Sequence, residues 1–165
     1  MAPKPKIANC GYGEAAAGVG RKLLEYWGPN LRVSIGLDAA WTKTQNRAPK
    51  YDKTDLKALV DTGAEDCCID SALAAEIRLP LINQRPVGGV GAIIADVFNA
   101  QVHIPELRYT IHGPFAAIPD LADRIHYPIV LGRTFLRDCR LVYFGPTGEA
   151  TLEVSRELSQ VSYRP

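Results

Sequence analysis

The chain has 165 residues, 47% of them hydrophobic, and a formal net charge of +1. That length and apolar fraction suit one domain with a real core and exclude global disorder. With no block of like charge, the near-neutral balance leaves no electrostatic case for nucleic acid or an anionic membrane surface as a partner.

Residues 1–13 are rich in Pro, Lys and Gly and read as a loose tail. Residues 14–27 suit a short helix, weakened by Gly18 and Gly20 and closed by Gly28-Pro29-Asn30. From Leu31 the pattern changes to period two: Leu31, Val33, Ile35 and Leu37 alternate with polar or small residues, which predicts a half-buried strand. A long polar loop follows Asp38, and then an apolar strand runs up to Asp61. Residues 71–79 suit a helical turn. Residues 85–113 suit two or three strands with a Gly-rich turn at residues 88–91. Residues 127–139 read as an apolar strand and a short helix, and residues 140–154 as a hairpin turning on Gly145-Pro146-Thr147-Gly148. The sum is all-β, a small closed or sandwiched barrel.

The four cysteines, Cys10, Cys67, Cys68 and Cys139, include no C-x-x-C pair, so neither a zinc ribbon nor a thioredoxin-like motif is indicated. Cys67 and Cys68 are adjacent and would face opposite sides of a strand as buried thiols. The first residues lack the apolar segment of a signal peptide, and no run reaches membrane-spanning length. Free thiols and a cytoplasmic setting are the expectation.

Three motifs then stand in order: an apolar strand ending in Asp61-Thr62-Gly63-Ala64, a glycine-rich run Gly88-Gly89-Val90-Gly91 leading to Ile93 and Ile94, and Ile129-Val130-Leu131-Gly132-Arg133 before a helical turn. In these motifs the sequence resembles the retropepsin family, the aspartic proteases of retroviruses and their cellular and bacterial relatives. The resemblance covers residues 31–154 and implies a closed β barrel with one short C-terminal helix, acting as a homodimer. It divides the chain into an N-terminal extension (1–30), a retropepsin-like domain (31–155) and a tail (156–165). It implies that Asp61 is catalytic and that the second carboxylate is supplied by a second identical chain, since only one Asp-Thr-Gly is present. Thr62 would bond across the two-fold axis, Gly63 and Ala64 would shape the loop, and Gly88, Gly89, Val90, Gly91 and Ile93 would form a flap over an extended peptide. Ile93 and Ile94 would pack on substrate side chains or on the core. Arg133 would form a structural ion pair with Glu65, or with Asp66 in its place. The chemistry needs one group to deprotonate water and one to protonate the carbonyl oxygen, which two neighbouring carboxylates sharing a proton supply without metal or cofactor. Two departures stand out: a long loop after Asp38 and a different terminal region, where residues 150–155 offer strands for a dimer interface.

Each motif has a plainer reading. Asp61-Thr62-Gly63 alone is more often a strand-to-turn signal, Gly88–Gly91 a hairpin turn, and Gly132-Arg133 a strand end. The three histidines, His103, His112 and His126, lack metal-ligand spacing. The glycines of residues 11–20 follow no strand, against a phosphate loop, and no G-x-S-x-G elbow is present. A glycosidase needs two acids of one chain at a set separation, and no partner for Asp61 stands out. The rival reading is a silent module of the same fold that dimerises or binds peptide without cutting.

Overall fold

Leu31, Val33 and Ile35 are at most 2% exposed, so the period-two run does bury one face. They belong to β2 (Asn30–Gly36), which pairs antiparallel with β3 (Lys53–Val60). A computed structural model of the chain describes residues 6–16, 18–45, 47–88 and 93–155. Preceding β2 are β1 (Ile7–Asn9) and α1 (Val19–Trp27). After β3 come β4 (Cys68–Asp70), α2 (Ser71–Glu76), β5 (Leu81–Val87), β6 (Ile93–Ile104) and β7 (Tyr109–Ile118). The chain continues with α3 (Leu121–Ile125), β8 (Ile129–Leu131), α4 (Arg133–Leu136), β9 (Cys139–Phe144) and β10 (Glu149–Val154).

Six strands close in the order β2-β3-β8-β4-β7-β6, with β6 returning to β2 and β5 hanging on the outer edge of β6. The barrel is mixed: β3 with β8 and β4 with β7 are parallel, and the other pairs antiparallel. Consecutive β3 and β4 are not neighbours, because β8 is inserted between them. Its main core gathers Leu31, Ile35, Ile69, Val102, Phe115, Ile129 and Leu131. None of the helices among the described residues is long and apolar enough to cross a membrane.

Several expectations need correction. Residues 7–9 are not a loose tail but a strand, Ile7 opposite Glu153, in a three-stranded sheet β1-β10-β9. Three residues with one buried side chain carry too little pattern to announce a strand; the pairing partner makes it. β10 is the middle of that sheet, so residues 150–154 have both edges occupied and cannot pair edge-to-edge with a second chain. The described residues hold four short helices: three fall in the segments expected to be helical, and α3 is the one not expected. α1 starts only at Val19, after Gly18 in the left-handed region at φ 78°. Gly20 is not merely a weak helix residue. Its missing side chain admits the 9–13 segment and the β9–β10 turn, and a Cβ there would sit 2.4 Å from the Tyr12 carbonyl oxygen. The β9–β10 hairpin turns where the sequence places it. α2 is capped by the buried Asp70, whose Oδ1 accepts from Ala72 N at 2.9 Å and whose Oδ2 accepts from Ala122 N at 3.0 Å. One carboxylate thus ties two helix starts to the end of β4.

Candidate active site

Asp61 is the first residue after β3. Its N–H donates to the Leu131 carbonyl at 3.1 Å, one step past the parallel pair Val60–Leu131. The inserted β8 therefore fixes where β3 stops and where the acid begins. The Gly63 N–H donates to Asp61 Oδ1 at 2.8 Å, so the loop curls back onto its own carboxylate. Asp61 is half-buried and Thr62 and Gly63 are exposed, which leaves the acid at an open surface. Within the described residues no cluster of three or more acids, histidines and cysteines is placed to hold a metal.

The loop is held from behind by the start of α4. Arg133 N–H donates to Ala64 O at 2.9 Å and Thr134 N–H to Glu65 O at 3.0 Å. Gly132 allows this approach, since a Cβ on it would lie 2.2 Å from the Asp66 carbonyl oxygen. The Thr134 hydroxyl accepts from Cys67 N at 3.2 Å. The ion pair expected of Arg133 does not form. Arg133 Nη1 instead donates to the carbonyls of Thr62 and Gly63, at 3.1 and 3.0 Å. Asp66 pairs with Arg85 of β5 at 2.9 Å, and Glu65 is exposed. A guanidinium satisfies backbone carbonyls as well as carboxylates, and these two lie closer to its fork.

Arg85 was not among the residues singled out from sequence. One basic residue on an edge strand carries no local signal; only the fold brings β5 over the loop after β3. The same holds for a small apolar cluster of Cys68, Ala95, Ala116, Leu121 and Val130, against which Leu59, Ala64, Val87, Ile118 and Ile125 pack partly exposed. It joins the Asp61 loop, through Ala64, to the end of β5, through Val87. Gly88 is exposed, while Gly89, Val90 and Gly91 lie outside the described residues. Ile93 and Ile94 are 39% and 67% exposed, so neither packs on the core.

Cys67, just before β4, and Cys68, its first residue, fall in the two separate clusters. Burial raises the Cys67 thiol, and it pushes Cys68 up to about 12, with Cys67 and Asp66 adding to it. Burial thus disfavours the nucleophilic thiolate form of both.

No family model matches the sequence, and no curated protein does. In structure the chain is similar to the foamy viral protease–reverse transcriptase solved with an RNA/DNA hybrid, at TM-score 0.44 and 14% identity over 66% of this chain. It spans only 11% of that longer protein. It is also similar to the EIAV protease complexed with the inhibitor HBY-793, at TM-score 0.41 and 20% identity over 67% of this chain and 86% of that one. A third likeness is to the retroviral protease-like domain of Ddi1 from Leishmania major, at TM-score 0.40 and 17% identity over 68% and 78% of the two chains. Each is a likeness of fold between this mainly-β, six-stranded mixed barrel and those structures.

Proposed function

We propose that the protein is an aspartic endopeptidase whose active unit is a homodimer, with Asp61 of one protomer and the partner's Asp61 forming the catalytic pair. The observation that carries this reading is the half-buried Asp61 carboxylate, which accepts from the Gly63 N–H at 2.8 Å at the end of a strand fixed by β8. The sequence holds one Asp-Thr-Gly, and two-fold symmetry would supply an identical second acid. One carboxylate takes a proton from water as the oxygen attacks the scissile carbonyl carbon. The other, protonated, gives its proton to the carbonyl oxygen. The tetrahedral gem-diol then collapses: a proton passes to the leaving nitrogen and the C–N bond breaks. Two carboxylates in contact cannot both stay ionised, which keeps one acid and one base. The partly exposed apolar cluster between Ala64 and Val87 suits apolar substrate side chains. We place the protein in the cytoplasm, since all four cysteines are free thiols.

The test uses subunit mixing. Wild-type protein and Asp61→Asn are each sized by sedimentation and incubated with a peptide library from acid to neutral pH. Asp61→Asn alone should cut nothing. In an equimolar, fully exchanged mixture only dimers with two intact acids work, so activity falls to about a quarter of an equal total of wild type, against about a half if each chain acted alone. A linear loss with mutant fraction overturns the shared pair. A stable dimer that cuts no peptide at any pH moves the chain to the silent peptide-binding module.

A further inference from the structure

We propose that residues 7–12 and 27–29 form a fixed brace behind Asp61, and that Tyr12 is a positioning residue for that acid. The role of Tyr12 rests on the endopeptidase reading; the brace itself rests on contacts within one chain. Two routes of hydrogen bonds run from these residues to the acid. Cys10, 1% exposed, donates its N–H to the Ala150 carbonyl at 2.9 Å, and its own carbonyl accepts the N–H of Asn30, the first residue of β2, at 2.9 Å. The preceding Pro29 carbonyl accepts the Val60 N–H at 2.8 Å, and the residue after Val60 is Asp61. The second route enters through β8. Tyr127, 4% exposed, donates its hydroxyl to the Trp27 carbonyl at 3.0 Å and leads through Pro128 into β8, whose Leu131 carbonyl accepts the Asp61 N–H at 3.1 Å. The strand that carries the acid and the strand beside it are thus tied to the same N-terminal residues.

Tyr12 stands where the two routes meet. Its hydroxyl oxygen accepts from Asn30 Nδ2 at 2.6 Å, and its N–H donates to the Gly148 carbonyl at 2.7 Å. Burial first, and then the hydrogen bond with Tyr12, holds the Tyr127 phenol well above its usual range. The packing here admits no easy withdrawal. Ala8 and Cys10 belong to the main core. A Cβ on Gly11 would lie 2.7 Å from the Gly148 carbonyl oxygen, and Gly148, at φ 82°, has the backbone of Gly20 against it. Removing these residues would strip acceptors from the Asn30 N–H, the Tyr127 hydroxyl and the N–H of Val60, itself 3% exposed. Buried donors without acceptors are what a native fold avoids. A leader shed on maturation is not joined to its domain in this way, so these residues belong to the working enzyme. Two carboxylates that share a proton must meet closely, and a misplacement of about 1 Å can cost about a hundredfold in rate. Loosening Pro29 from Val60 acts on Asp61 and leaves the apolar cluster between Ala64 and Val87 untouched.

The test is Tyr12→Phe in the full chain, which deletes one hydroxyl and keeps the ring. Amide hydrogen exchange should show the protection of the Val60 and Asp61 N–H groups reduced about tenfold or more, with Val102 of β6 unchanged as the reference. Peptide cleavage should lose about fivefold or more in kcat with KM within about twofold of wild type. The bell-shaped pH profile should narrow, because two carboxylates held farther apart repel less and their apparent pKa values draw together. Asn30→Ala removes the same bond from its other end and should repeat the pattern if Tyr12→Phe folds poorly. Unchanged protection at residues 60 and 61 overturns the brace, and so does an equal loss at Val102, the mark of a uniformly weaker fold. Local loss of protection with kcat and pH profile unchanged overturns the positioning role of Tyr12. If wild type cuts no peptide, the endopeptidase reading and the positioning role fail together, and exchange at residues 60 and 61 still decides the brace.

Discussion

Substituting Gly132 by alanine tests whether the start of α4 sets the Asp61 loop. Gly132 has φ −88° and ψ −172°, open to any residue, so the cost is one of space and not of dihedral. The new Cβ would lie 2.2 Å from the Asp66 carbonyl oxygen, 2.6 Å from its carbon and 3.0 Å from the Ala64 oxygen, against an optimal carbon contact of about 3.5–4.0 Å. All three neighbours are backbone and cannot rotate aside, so the two segments must part by about an ångström. Overpacking of this kind costs about 1–3 kcal/mol. Parting also breaks Arg133 N–H to Ala64 O and Thr134 N–H to Glu65 O, at about 1 kcal/mol each. The expected loss is about 3–5 kcal/mol, read as a lower urea midpoint at unchanged slope. Gly88→Ala is the control: nothing lies within 4 Å of its added methyl, and the change should stay within about 0.5 kcal/mol. A loss under about 1 kcal/mol in Gly132→Ala, with peptide cleavage retained, would refute the reasoning.

Three further outcomes are expected. Arg133→Met removes both carbonyl contacts from an exposed side chain, so it should cost only about 1 kcal/mol in urea unfolding, yet reduce peptide cleavage by tenfold or more by loosening residues 62 and 63. Asp38, whose carboxyl is held below its usual value first by Arg47 and then by the N–H groups of Lys50 and Ala40, contributes stability that is complete above about pH 4 and lost as the pH falls through its lower folded value. Asp38→Asn should therefore be less stable than wild type at pH 7 in a thermal melt, with the gap closing in acid. Cys10, at about 11, and Cys68 and Cys139, at about 12, are all raised chiefly by burial. Native protein should alkylate with iodoacetamide at neutral pH about a hundredfold or more slower than urea-unfolded protein, by mass spectrometry.

What could be read in the sequence was what repeats along the chain or stands in a fixed order. Period two located β2, the apolar run located β3, and the four-residue turn located the β9–β10 hairpin. The position of Asp61 at a strand end was equally legible. What escaped depends on residues far apart. β2 carries a bulge between Val33 and Ile35, so Ser34 is buried where strict alternation would expose it. β1 exists because β10 pairs with it. Arg85 and Asp66, nineteen positions apart, meet only once β5 folds over the loop. The partner of Arg133 was misjudged because the family resemblance implied a carboxylate, while the geometry offered two carbonyls. Asp38 looked like a strand-end residue, yet it organises the long loop after β2 by accepting from Ala40, Arg47 and Lys50.

The insertion of β8 between β3 and β4 also dictates an order of events during folding. A ribosome that has released residues 1–128 has delivered both β3 and β4 but not the strand that joins them, so that edge of the barrel stays open. β1 waits longer still, since its first residue faces Glu153. Such sequence-distant pairings require the chain to close large loops before any contact rewards it, and they make folding slow. The scaffold under Asp61 is therefore among the last parts to assemble. Truncations that end before residue 129 should leave the acid on an unpaired strand edge, prone to aggregate rather than to act.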